Sequence, residues 1–122
     1  MYFPVSGWFA AFMVTILVEI PVATFLLRDS GTDPRRLVVL VVLANLVTHP
    51  ALWYVIPQLL PVGSVRYTVA GEAWAVGAEA LFYWAAIKGL RARRAIGVAL
   101  VANLASFIVG RAFVAISPDL FR

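Results

Sequence analysis

Apolar residues fill four stretches of this chain almost without interruption, and charged residues collect between them. The stretches cover about 5–27, 35–56, 66–87 and 94–115. Each has the roughly 20 residues that an α-helix needs to cross a hydrocarbon core about 30 Å thick. The joints between them are short. Arg28 to Arg36 forms a polar connector in which Asp33 can cap the following helix and Pro34 can sit at its first position, where no N–H is missed. Pro57 to Ser64 is a proline-punctuated turn, and Lys88 to Arg94 is a second basic connector. Three joints this short predict an all-α integral membrane protein: a single unit over residues 1–122, a four-transmembrane-helix bundle running up-down-up-down.

Composition agrees with that frame. The chain is 63% hydrophobic and 13% charged, whereas a soluble domain is about 45–50% apolar and about 25% charged. The absence of cysteine excludes disulfides, thiolate metal sites and thiol nucleophiles. A net charge of +4 does not point to nucleic acid, because seven of the ten basic residues fall in the clusters Arg28/Arg35/Arg36 and Lys88/Arg91/Arg93/Arg94. Both clusters lie on one side of the bundle, which the positive-inside rule assigns to the cytoplasm. The expected location is the plasma membrane (the inner membrane of a prokaryote), with both termini outside. Met1 to Leu27 carries no Lys or Arg, so the first helix is expected to remain rather than serve as a cleaved signal. Tyr2, Trp8, Trp53, Tyr54 and Tyr67 are expected at the outer interface and Tyr83 and Trp84 at the inner one, while Arg66 and Arg111 snorkel from outer helix ends.

The second half of the chain echoes the first. Arg35-Arg36 and Arg93-Arg94 are 58 residues apart, and the same offset carries Ala44-Asn45-Leu46 onto Ala102-Asn103-Leu104 and Thr48 onto Ser106. An offset of 60 carries Glu19 onto Glu79 and Arg28 onto Lys88. The matched residues are polar ones that a membrane helix can least spare, which predicts two tandem two-helix repeats, at about 5–56 and 66–115. Two-helix repeats share one orientation, so their relation is a pseudo-two-fold axis along the membrane normal. Glu19, Glu79, Asn45 and Asn103 each lie nine residues from an inner basic residue, about 13 Å deep, and form one layer. Small residues at Ala102, Ser106 and Gly110, and at Gly71 and Ala75, give faces for close helix approach.

The symmetry fails at four places. His49 answers to Phe107, Glu72 to Phe12, Pro21 to Leu81 and Pro50 to Ile108. Pro50 removes the donor for the carbonyl of Leu46, so the first half can kink where the second need not. His49 and Glu72 define a second polar layer, nearer the outer face.

Ionisable residues inside a membrane are functional candidates by default. The candidate ligand or ion site is Glu19, Asn45, Thr48, His49, Glu72, Glu79, Asn103 and Ser106. Its first expected use is proton- or cation-coupled movement of a small ion or solute, with Glu19 and Glu79 as coupling carboxyls. The structural alternative has neutral Glu19 and Glu79 donating hydrogen bonds to Asn45 and Asn103 to fix helix register. A second functional expectation is a divalent metal held by His49, Glu72, Glu19 and Glu79, as a binding protein or a metalloenzyme, although no Glu-x-x-His spacing is present. A third is an accessory subunit in which the chain partners the bilayer and either a second copy or a larger membrane complex. Catalytic motifs such as His-Glu-x-x-His, a phosphate loop or a nucleophile elbow are missing, so an enzyme is not the favoured reading. Small four-helix multidrug exporters are similar in size and in placing a glutamate in helix one; their motifs are not matched, and no residue role carries over.

Overall fold

The computed structural model describes residues 5–121. Tyr2 of the expected aromatic belt lies outside the described residues. Four long helices make up the molecule: α1 (Val5–Leu26), α2 (Pro34–Pro50), α4 (Val65–Ala86) and α5 (Ala92–Ile116), with a short α3 (Ile56–Leu59) continuing the line of α2. Their bounds follow local chemistry. Asp33 accepts a hydrogen bond from the Arg35 N–H at 2.8 Å with Pro34 in the first turn, and Ser64 accepts from the Tyr67 N–H at 3.1 Å at the start of α4. Each connector reverses through one glycine with positive φ: Gly31 at 78°, Gly63 at 83° and Gly89 at 79°.

The bundle is a four-membered ring in which α1 packs on α2 and α5, and α4 packs on the same two neighbours. One end carries both termini; the other carries the basic connectors. α1, the segment Pro34–Leu59 and α5 are long and apolar enough to cross a membrane. α4 has the same length as α1 but a lower hydropathy, so of the four expected spans three are apolar enough by length and composition. The reason is the content of α4: Arg66, Glu72 and Glu79 stand among glycine, Trp and Tyr. Its outward face is nevertheless apolar, with Val69, Trp74, Leu81 and Trp84 exposed. Leu17, Phe25, Val47, Leu104 and Ile108 expose a similar surface on the other helices, which suits lipid rather than water.

Packing differs between the two ends. Toward the basic end a dense core joins Ala23, Leu27, Leu37, Leu40, Val41, Tyr83, Ile87 and Leu90 with the alanine face of α5. Tyr83 is 0% exposed, which corrects its expected place in an interfacial belt: it belongs to the core cluster, where its bulk fills space between helices. Trp84, one residue on, is 52% exposed, as a belt residue should be.

The basic end is tied by two crossing contacts. Arg36 donates to the carbonyl of Ala86 at 3.2 Å, and Arg94 donates to the carbonyl of Leu26 at 2.8 Å. Each guanidinium leaves the start of one helix to satisfy an orphan carbonyl at the end of another. Arg94 also pairs with Asp29, whose carboxyl it holds below the ordinary carboxylate range, chiefly through their hydrogen bond.

Candidate functional site

Four hydrogen bonds organise the layer above the dense core. Asn45 donates through Nδ2 to Glu19 Oε2 at 2.7 Å, and Asn103 donates through Nδ2 to Glu79 Oε2 at 2.6 Å. The Ser106 hydroxyl meets Glu19 Oε1 at 2.8 Å, and the Thr48 hydroxyl meets Glu79 Oε1 at 3.4 Å. Each carboxyl therefore receives an amide from the helix that follows it in sequence and a hydroxyl from the helix two further round the chain. Glu19, Asn45, Glu79 and Thr48 are all at or below 1% exposure, so the layer is sealed from bulk solvent on most sides. The direction of the amide contacts corrects the expectation that the glutamates donate to the asparagines. Each Nδ2 has two hydrogens, and the second goes to the carbonyl one turn back: Val41 at 3.0 Å for Asn45 and Ala99 at 2.8 Å for Asn103. That second bond fixes the amide's orientation and leaves its other N–H aimed at the carboxyl.

The hydroxyls are placed differently. Ser106 also lies 3.0 Å from the carbonyl of Asn103, and Thr48 lies 3.4 Å from the carbonyl of Asn45. Each hydroxyl has one hydrogen between two acceptors. When that hydrogen turns to the carboxyl, it satisfies a carboxylate; when it turns to the backbone carbonyl, the hydroxyl oxygen is free to accept from a protonated carboxyl. The arrangement thus serves both protonation states of Glu19 and Glu79 by a hydroxyl rotation, with no helix movement.

The local structure beside this layer comes from two prolines. α2 stops its regular ladder at Pro50, and Ala51–Val55 forms a π-helical turn whose following N–H, that of Ile56, bonds to the carbonyl of Ala51. In that five-residue register the carbonyl of Leu52 faces residue 57, and Pro57 has no N–H to give. The Tyr67 hydroxyl supplies the missing donor at 3.3 Å. Trp74 adds a second donor, at 3.2 Å, to the carbonyl of Thr48, which already accepts from the Ala51 N–H. Tyr67 is thus a donor from α4 to a broken ladder, a role that Pro57 hints at in sequence but that only the fold assigns to a particular partner. Pro21, by contrast, lies inside an unbroken α1.

Above the carboxyl layer the bundle is hollow. A cavity of about 420 Å³ extends toward the terminal end, where Val62 of the connector before α4 lines it. Asn103 and Ser106, which hold Glu79 and Glu19, are among its walls, together with His49, Glu72 and Arg111. Most of the remaining lining is apolar or aromatic, including Leu52, Trp53, Tyr67 and Phe107. His49 is 6% exposed, its ring lies edge-on to Phe12 at 5.6 Å between centroids, and its buried Nδ1 has no hydrogen-bond partner among the described residues. Gly71 narrows the same wall, since a Cβ there would meet Leu52 Cδ2 at 3.0 Å.

The eight expected site residues therefore divide into two tiers. Glu19, Asn45, Thr48, Glu79, Asn103 and Ser106 form the hydrogen-bonded layer, while His49 and Glu72 line the cavity with Asn103 and Ser106. The expected metal set of His49, Glu72, Glu19 and Glu79 does not assemble, because among the described residues no three acidic or histidine side chains converge on a point that could hold an ion. The two deep carboxyls are turned toward amides and hydroxyls instead. Arg111, expected only to snorkel, joins the cavity wall. Compared with protein-family models, curated proteins and solved structures, the chain matches none.

Proposed function

We propose that this protein is a small membrane transporter that uses Glu19 and Glu79 as exchangeable proton carriers for the movement of a small ion or solute. The observation that carries the proposal is the pair of hydroxyls, Ser106 and Thr48, each able to serve its carboxyl in either protonation state. That freedom lets each carboxyl gain or lose a proton while keeping its hydroxyl partner, as a proton carrier would use it. Ser106 belongs both to this layer and to the cavity wall, and so connects the cavity to Glu19.

In this reading the basic end faces the cytoplasm, the termini lie outside, and the cavity opens outward. The halves about 5–56 and 66–115 are tandem repeats. Support for the duplication comes from equivalences at the offsets of 58 and 60 seen in the sequence. Asn45 on Glu19 matches Asn103 on Glu79, Ser106 on Glu19 matches Thr48 on Glu79, and Arg94 on Leu26 matches Arg36 on Ala86. The hydroxyl and guanidinium contacts all cross between halves, so a rocking of one half against the other would exchange them together. The dense core and the two arginine ties close the cytoplasmic end in the outward-open state.

The test is proton movement in liposomes containing the purified protein and a lumenal pH dye, with sodium, potassium or mixed amino acids supplied on the outside. Wild-type vesicles are expected to shift lumenal pH when one of these is added, and vesicles with Glu19→Gln/Glu79→Gln are not. A wild-type response equal to that of the double variant would end the proposal.

A further inference from the structure

The cavity carries two opposite charges that do not pair with each other. Glu72 projects from α4 and Arg111 from α5, and both line the cavity. Glu72 is seven residues past Val65 and Arg111 five before Ile116, which places them about 10 Å and about 8 Å from the terminal ends of their helices. They stand at nearly the same depth on adjacent helices. Among the described residues, however, they form no ion pair, and the ion pair present is the distant Arg94–Asp29 contact. Glu72 is half-buried beside apolar walls, where an unpaired charge is costly and a charge of opposite sign brought to it removes that cost, while Arg111 is exposed where it lines the same cavity. A carboxylate and a guanidinium facing one cavity, but not each other, are complementary to a molecule that carries both an ammonium and an anionic group.

We propose that this cavity binds a zwitterion, its ammonium toward Glu72, its carboxylate or phosphate toward Arg111, and its apolar body against Leu52, Phe107 and Val114. The lining fits that division, since polar groups are few and the rest is aliphatic or aromatic. Arg is suited to the anionic end, because its planar fork binds carboxylate and phosphate bidentately. His49 adds an independent sign of a polar occupant: a buried, unpartnered Nδ1 in the cavity wall offers an acceptor or donor to whatever fills it. At about 420 Å³ the cavity accommodates an amino acid with an apolar side chain, or the headgroup of a zwitterionic phospholipid entering from the bilayer. The inference names the solute class for the transport reading and rests on that reading for its purpose, but binding is measured without flux.

The experiment is calorimetric titration of the detergent-purified protein with L-leucine, with L-leucinamide, which lacks the anion, and with 4-methylpentanoate, which lacks the ammonium. Native mass spectrometry with added dioleoyl phosphatidylethanolamine, against dioleoyl phosphatidic acid, forms the lipid arm. Leucine is expected to bind at least about tenfold more tightly than either single-charge analogue, the scale of one charged hydrogen bond. Glu72→Gln is expected to abolish the preference over 4-methylpentanoate and Arg111→Gln the preference over leucinamide, with Arg111→Lys retaining part of the latter. Retention of phosphatidylethanolamine over phosphatidic acid, without leucine binding and with the same variant dependence, would assign the zwitterion to the lipid. Leucinamide binding as well as leucine, or no preference for the zwitterion in either arm, would overturn the proposal. Leucine binding retained in Glu19→Gln/Glu79→Gln vesicles, with wild-type flux absent, would defeat the transport reading alone.

Discussion

At the scale of single residues, the buried polar groups divide into those with partners and those without, and the two kinds respond differently to mutation. Asn45 and Asn103 each satisfy a carboxyl and a carbonyl. Replacing either by Ala is expected to destabilise the protein by about 0.5–2 kcal/mol, the span of interhelical hydrogen bonds in membranes. Thermal or denaturant unfolding in detergent measures this, and unchanged stability in both variants would remove them from the organising layer. The Tyr83 hydroxyl is buried without a partner among the described residues. Tyr83→Phe should therefore be neutral or stabilising in the same assay, while Tyr83→Ala should cost about 3–5 kcal/mol through the cavity it opens. A Tyr83→Phe loss as large as that of Asn45→Ala would mean the hydroxyl has a role the packing does not reveal. At the basic end, the sign of the Asp29 shift fixes its pH dependence. Its carboxyl is lowered by Arg94, so their contact contributes above the ordinary carboxylate range and is lost as pH falls through the lowered value. Arg94→Gln is expected to move the Asp29 titration upward, toward its ordinary value, as followed by carboxyl NMR.

At the scale of elements, the proline-rich line from α2 through the π turn to α3 is the most irregular part of the bundle, and it lies against the cavity. Single π turns inside helices recur at functional sites, because they turn side chains and carbonyls out of the regular pattern. Here the deviation has an identified cause in Pro50 and Pro57 and an identified compensation in Tyr67. Tyr67→Phe is expected to cost about 1 kcal/mol. In a Pro57→Ala background, where residue 57 regains its N–H, that cost should shrink, and a double-mutant cycle with no coupling would contradict the assignment. The sequence pattern located all four long helices to within a few residues, since apolar length and the capping Asp33 are local signals. It put the end of the second helical line at Ile56 where the structure carries it to Leu59, because a π turn has no local signature beyond its prolines.

At the scale of the whole molecule, the two ends of the bundle are built for different tasks. Large side chains such as Leu27, Tyr83 and Ile87 fill the basic end, while the terminal half is left open around His49, Glu72 and Arg111. The carboxyl layer stands at the boundary. The depth of that layer was legible in the sequence, because the spacing from Glu19 and Glu79 to the basic connectors fixes height along a helix. The crossing of Ser106 to Glu19 and of Thr48 to Glu79 was not, because spacing along one helix says nothing about which neighbour it faces. Tyr83 was misplaced for the same reason: its distance from the helix end suits an interface, but its angular position turns it into the core. The proposed transport requires Glu19 and Glu79 to act together as the proton carriers. Its most direct test is the liposome proton assay with Glu19→Gln and Glu79→Gln taken singly as well as together. If the carboxyls form one working unit, each single variant removes most of the wild-type response and the double variant removes little more. A double variant that moves protons at the wild-type rate would contradict the account.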